Sequence, residues 1–193
     1  MKTTISIAAL ALFAVAPSAA SAQQNPAAIV AVVDTDRIYR ECTACKSAQT
    51  GLKSRLDTLQ ARQQTLSNQL RTEGQPIETA VRALNGAAPD AALRARITAF
   101  QTKQEQANQE LTRGQENIQS IQANVLRQIN VRLNPAISQV MTARGANMAI
   151  DVRSLLAHAQ SVDVTTAVLA ALNRTLTSVT LTPLPAQTQP AGR

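Results

Sequence analysis

Two long runs of apolar residues at alternating spacings of four and three, separated by a turn, limit what this chain can become more than any other feature. Leu52, Leu56, Leu59, Leu66 and Leu70 form the first run, with Gln63 in the missing step. That is the 3.5-residue repeat of a coiled-coil seam. Gly74-Gln75-Pro76 predicts an interruption, because proline withholds a backbone donor and crowds the preceding turn. Ile77, Val81 and Leu84 resume the stripe, and Asn85-Gly86-Ala87-Ala88-Pro89 is turn chemistry, with Asp90 in the first turn of the next helix. The return run is Leu93, Ile97, Phe100, Gln104, Ala107, Leu111, Gly114, Ile118, Ile121 and Val125, continued by Leu126, Ile129 and Leu133 on a slightly rotated stripe. Two antiparallel helices of about 40 residues, each about 60 Å long, share one apolar seam and almost no core. Most of the chain is therefore expected to be a protruding arm.

The ends say where such an arm would be used. Met1-Lys2, an apolar run from Ile5 to Ala16 broken only by Ser6, and the small-x-small site Ala20-Ser21-Ala22 have the layout of a secretory leader cut before Gln23. The run is short for a bilayer span, and no stop-transfer segment follows. A soluble exported chain with two cysteines fits a prokaryotic periplasm better than a disulfide-framed secreted domain. The composition agrees with long helices rather than an enzyme core: two Phe, one Tyr and no Trp. The formal charge of +7 favours acidic partners, such as lipopolysaccharide or another anionic membrane surface, or acidic client proteins. Nucleic acid is not expected, since no Lys/Arg cluster is interleaved with aromatic residues.

What remains must hold the arm. Ile29 to Val33 reads as a buried strand, Met148 to Val152 as a second, and Leu155-Leu156-Ala157-His158 as a short third. Asn134-Pro135 should kink or restart the helix, Gly145 should close it, and Asp163 should cap a last helix carrying Val164, Val168, Leu169 and Leu172. The expected organisation is a leader over 1–22, a small α/β body from 23–41 plus 135–176, a helical hairpin over 42–134, and a disordered Pro-rich tail over 177–193. The fold class is α+β: a small β-sheet oligomerisation body with a long antiparallel α-helical (coiled-coil) hairpin arm. A three-stranded body of this size buries too little alone and is expected to oligomerise.

Few residues offer chemistry. Cys42 and Cys45 flank a helix start, where a thiol is activated, yet zinc needs about four ligands and only His158 is left to join them. A local disulfide, or two small helix-start residues, accounts for the pair without a metal or a redox cycle. No Ser/His/Asp set, paired-carboxylate pocket or phosphate-cradling glycine loop stands out, so no enzyme and no cofactor are expected. The tip from Pro76 to Phe100 combines apolar residues with Arg71, Arg82, Arg94 and Arg96, a composition suited to an adaptable contact surface.

The two ends of the body carry a likeness. "IVAVVDTDRIYREC", a strand followed by Val-Asp-x-x-Arg-Ile and a long helix, resembles the start of the Skp (OmpH-like) periplasmic chaperones. "RGANMAIDVRSLLAHAQSVDVTTAVLAALN" resembles the end of that family. The resemblance implies a homotrimer whose helical arms enclose a cavity and hold unfolded outer-membrane β-barrel proteins without ATP. It implies that Val32, Val33, Ile38, Ile150 and Leu156 belong to the body and its trimer contacts. It further implies that Leu70, Ile77, Val81, Leu84, Leu93, Ile97 and Phe100 face the client. The chain departs from the family in its Gln-, Asn- and Thr-rich arms, its tail, and Cys-Thr-Ala-Cys. The leading expectation is a periplasmic holdase. The rivals are an envelope coiled coil without chaperone activity and a thiol–disulfide protein using Cys42 and Cys45.

Overall fold

The computed structural model describes residues 26–185. The expected leader and the end of the tail, residues 186–193, lie outside them. Strand β1 (Val30–Val33) leads into helix α1 (Thr35–Glu41), then into α2 (Thr43–Ala83) and α3 (Ala91–Ala143). Strand β2 (Met148–Asp151), short 3-10 turns at Val152–Ser154 and Gln160–Val162, and helix α4 (Thr165–Thr175) complete the chain. The molecule is mostly helical, with the expected long hairpin and a sheet of two strands.

β1 and β2 are parallel, in register from Val30 opposite Met148 to Val33 opposite Asp151. Parallel neighbours need a crossover connection, and here the whole arm is that crossover. On the other edge of β1, Val164 N–H donates to the Val32 carbonyl at 2.9 Å, and Val32 bridges Asp163. The third strand expected at Leu155–His158 does not form. The Asp151 carboxylate accepts from Arg153 N–H at 2.9 Å, which folds the backbone into a 3-10 turn directly after β2 and leaves Leu156 wholly exposed.

Caps explain where the helices begin. Asp34 accepts from Arg37 N–H at 2.7 Å and starts α1. Asp90 accepts from Leu93 N–H at 2.7 Å and starts α3, so it is the cap itself and not a first-turn residue. Asn85 and Gly86 both take positive φ, 47° and 91°, which reverses the chain between α2 and α3. Asp163 receives Thr165 N–H at 2.8 Å one residue outside the position expected of a cap, while Val164 occupies the cap position without a side-chain bond.

The expected breaks at Pro76 and Pro135 are not breaks: α2 and α3 each run through their proline. Each proline costs one backbone hydrogen bond, and packing on both sides carries the helix across. Around Pro135 those neighbours are Ile129, Leu133 and Ala136, all buried. Gly74 is likewise a seat rather than a break, because a Cβ there would meet the Phe100 ring. Gly114 seats Leu59 in the same way further down the seam.

The core gathers β1, α1, α4, the first turns of α2 and the stretch of α3 from Ile121 to Ala136. Ile38, Ile121, Leu133, Leu172 and Val168 are fully buried there, each contributing about 1.5–3 kcal/mol. The root of the arm is thus part of the body's core. Towards the tip the seam thins, and Leu66, Leu93, Ala107 and Ile118 are its buried side chains. The tail also departs from expectation. Leu176 is buried, and Val179 and Leu181 pack against the core from the stretch expected to be disordered. Residues 177–185 lie along the arm's root.

Candidate functional site: the arm and its root

Along the arm, two cross-helix ion pairs sit beside the seam. Arg62 Nε and Nη2 donate to the two carboxylate oxygens of Glu110 at 2.6 and 3.0 Å, and Lys103 reaches Glu73 at 2.5 Å. The Arg62 guanidinium holds the Glu110 carboxyl below its ordinary range. Between these pairs the surface opens into a cleft of about 310 Å³ that reaches Leu66 and Leu70. A second cleft, of about 330 Å³, lies nearer the tip between Pro76, Ile77 and Phe100, with Arg96 at its edge.

The structure therefore divides the tip residues singled out from sequence. Leu70, Ile77, Leu84, Ile97 and Phe100 are half-buried, Val81 is exposed, and Leu93 is packed into the seam. Of the half-buried group, Leu70, Ile77 and Phe100 line the two clefts, whereas Leu93 is structural. The four arginines are all exposed, but the tip is close to balanced because Glu73, Glu78 and Asp90 accompany them. Arg82 pairs with Glu78, Arg94 donates to the Pro89 carbonyl at 2.6 Å, and Arg71 donates to Asn68 at 3.1 Å.

In the body, Val32, Val33 and Ile38 fill this chain's own core, so they hold the body together from within. Ile150 is half-buried and Leu156 is the most exposed apolar side chain. Ile29 and Met148 lie next to each other at the start of the sheet, 54% and 45% exposed, with Ile29 carbonyl receiving Met148 N–H. Among the described residues the outer edge of β2 has no strand partner.

Cys42 and Cys45 are joined in a disulfide, and both are buried, at 0% and 2% exposure. Cys42 is the N-cap of α2, its Sγ accepting from Cys45 N–H, and the bridge spans the bend between α1 and α2. A buried bridge cannot be reached by a partner thiolate. Replacing both cysteines by alanine is expected to cost about 2 kcal/mol for so short a closed loop. Urea melts of the variant beside the unsubstituted chain check this, and a loss well above that figure would mean that the bridge supports more of the fold than the bend between α1 and α2. Among the described residues no cluster of His, Cys, Asp and Glu suits a metal. His158 faces Asp163 at 3.6 Å.

The two family-like ends interlock. Asp34 N–H donates to the hydroxyl of fully buried Thr165 at 2.9 Å, and Asp151 at the end of β2 accepts from Thr35 and Arg153. The Arg153 guanidinium holds the Asp151 carboxyl down at about 2 against the opposing effect of burial, with the Thr35 hydroxyl and the Arg153 N–H adding to it. A carboxyl depressed in the folded state stabilises above its unfolded value near 4 and loses that contribution as pH falls through about 2. Solvent screening at exposed Arg153 leaves about 1–2 kcal/mol. Asp151→Asn should therefore lower stability at neutral pH, and the difference from the unsubstituted chain should vanish in urea melts below about pH 2.

One group of residues escaped the sequence reading: Arg55 on α2, with Ser120, Asn124 and Gln128 on α3, bonds residues 180–184 of the tail. Their spacing of four along α3 was visible, but nothing local pairs it with the chain's end.

These features define a class: a small α/β body from which a two-helix arm projects, built around an uninterrupted crossover. The chain belongs to the OmpH-like (Skp) outer membrane protein family, whose model matches residues 29–172. The crystal structure of a proposed outer membrane chaperone (OmpH-like) from Caulobacter crescentus CB15 is similar, with a TM-score of 0.70. It shares 19% identity, and the match covers 86% of this chain and 96% of that one, a likeness of fold. No curated protein matches. Among the described residues no helix is long and apolar enough to cross a membrane.

Proposed function

We propose that this chain is an ATP-independent periplasmic holdase that keeps unfolded outer-membrane β-barrel proteins from aggregating. The observation that carries the reading is the arm itself. It leaves the body as a long two-helix hairpin whose seam is too thin to hide its apolar residues and whose clefts open beside Leu70, Ile77 and Phe100. Membership of the OmpH-like family supports it. Each cleft is a weak contact, and several arms acting together would raise affinity through effective concentration.

Several arms require several chains. The unpaired edge of β2 and the exposed Leu156, Ile29 and Met148 favour assembly through the body, and the family likeness favours three chains around a cavity. The chain's positive charge would hold acidic clients and anionic surfaces such as lipopolysaccharide nearby. Release needs no nucleotide if the client folds elsewhere. The test mixes the chain from Gln23 onward with a urea-denatured outer-membrane barrel protein during dilution. Light scattering is followed, then size exclusion with absolute mass detection. Suppressed scattering with three chains per client is the expected result. A clean oligomer that leaves the client to precipitate would make the protein a structural coiled coil of the envelope.

A further inference from the structure

The tail's attachment to the arm has the form of a ligand in a binding groove. Gln128 reads both backbone groups of Thr180: its amide nitrogen donates to the carbonyl at 3.0 Å, and its oxygen accepts the N–H at 2.9 Å. Asn124 donates to the Thr182 carbonyl at 2.9 Å, and Ser120 Oγ accepts Leu184 N–H at 2.9 Å. From the facing helix, Arg55 donates to the Leu181 carbonyl at 3.1 Å. These five bonds end on main chain, and the same amides add two hydroxyl contacts: Thr180 Oγ1 donates to Gln128 Oε1 at 3.1 Å, and Asn124 Nδ2 donates to Thr182 Oγ1 at 3.4 Å.

The register explains how. Residues four apart on a helix are about 6 Å apart along its axis. Residues two apart on an extended chain are about 6.6 Å apart. The series 128, 124, 120 on α3 thus meets 180, 182, 184 on the tail, running antiparallel, with one polar side chain for every second residue. Between those steps Val179 and Leu181 turn inward, and Leu181 occupies the space above Gly51 that any Cβ would fill. Asn124 is 6% exposed, so this buried amide depends on a main-chain partner from the tail. Further along the arm, a cleft of about 300 Å³ that shares Arg55 continues towards the tip past Leu59, Gly114 and Ile118.

We infer that the root of the arm is a binding groove for extended polypeptide of alternating polar and apolar residues, occupied in cis by the chain's own tail. Amide side chains that meet the main chain at every second residue select an extended backbone, and their further contacts to the Thr180 and Thr182 hydroxyls favour a polar residue at those steps, which is an alternating pattern and not a fixed sequence. "SVTLT" has the alternation of a membrane β-strand. The tail is then an internal stand-in for the client, and a client segment enters the groove by displacing it. The tail lies beyond the family match, which ends at Leu172. The identity of the outside ligand rests on the holdase reading; the groove itself does not.

The test uses the full chain from Gln23 and two labelled synthetic peptides. One is Thr177–Pro185, and the other is an unrelated peptide of alternating Thr and Val, with a blocked arrangement of the same residues as control. Val179→Asp with Leu181→Asp loosens the tail, and fluorescence anisotropy should then show at least about tenfold tighter binding of both alternating peptides, as removal of a tethered competitor requires. Adding Gln128→Ala should cancel the gain. Equal affinities before and after loosening, or binding of the tail peptide alone, would overturn the proposal. Should the double variant lose its helical signal, hydrogen exchange on the unsubstituted chain decides. At about 5 mM alternating peptide, above the millimolar effective concentration of a tether, the Thr180 and Leu184 amides should lose protection. Unchanged protection at both would mean that the tail is a fixed strap. Because these readouts are direct binding, the groove can fail while suppression of client aggregation stands, and the reverse.

Discussion

On the proposed holdase reading, replacing residues 71–100 by a short Asn-Gly turn should leave the body folded and the number of chains per particle unchanged, and should abolish protection of an unfolded outer-membrane protein. The expectation follows from where the stability sits. The fully buried side chains belong to the body and the arm's root, whereas the segment removed holds a single buried side chain, Leu93, and the half-buried Ile77, Leu84, Ile97 and Phe100. Few buried contacts mean little contribution to the global fold and easy local opening. Both arm clefts lose residues in this variant, and the one beside Phe100 disappears. If affinity comes from several weak contacts on several arms, losing them costs on the order of 10²-fold or more. Raising the concentration about tenfold should therefore not restore protection. Size exclusion with absolute mass and a light-scattering assay on one preparation read both halves. Full protection by the shortened chain would mean that the tip contributes nothing and that contacts in the root or the body suffice.

The second large effect is expected at Leu172, fully buried on α4 against the core that joins β1, α1 and α3. Leu172→Ala should cost about 2–5 kcal/mol, the range for truncating a buried leucine where neighbours cannot collapse into the space. For a chain of this size that is a fall of roughly 10 °C in Tm. Leu56→Ala, the same chemistry at a seam position 40% exposed, should change stability by about 0.5–1 kcal/mol. Calorimetry of the two variants tests whether the protein is one stable body with a marginal arm. Equal losses would mean that arm and body unfold as one unit.

Much of this architecture was legible from spacing alone. The hairpin, its turn at Asn85–Pro89 and both strands follow from local patterns, because a 4-3 stripe and a β-branched run each specify one geometry. What misled were the punctuation residues. Gly74, Pro76 and Pro135 read as breaks, yet the facing helix supplies Phe100 to the first, and buried neighbours hold the helix together at the last. The third strand failed for a local reason hidden in one side chain, since Asp151 turns the chain through Arg153 before a strand can start. The tail failed for the opposite reason: its Pro-rich composition suggests disorder, and its order comes from Gln128, Asn124 and Ser120, fifty residues or more away in sequence. Among candidate contact residues, apolar character was legible and burial was not, so Leu93 and Val81 look alike in sequence and differ in the fold.

The parallel pairing of β1 with β2 has a consequence for how the chain acquires its shape. Val30 must find Met148, and every residue of the arm is synthesised between them. Closing so long a loop by chance is slow, because its entropy must be lost before any contact compensates. A hairpin removes that obstacle, since helices form locally within about a microsecond and zip from the turn downward. Each turn of α2 laid on α3 brings the two strand ends nearer, until the root delivers them side by side. Pulse-labelled amide exchange during refolding should find the hairpin protected before the β1–β2 pair. The segment that would grip other proteins' unfolded chains would thus first be the scaffold on which its own chain is drawn closed.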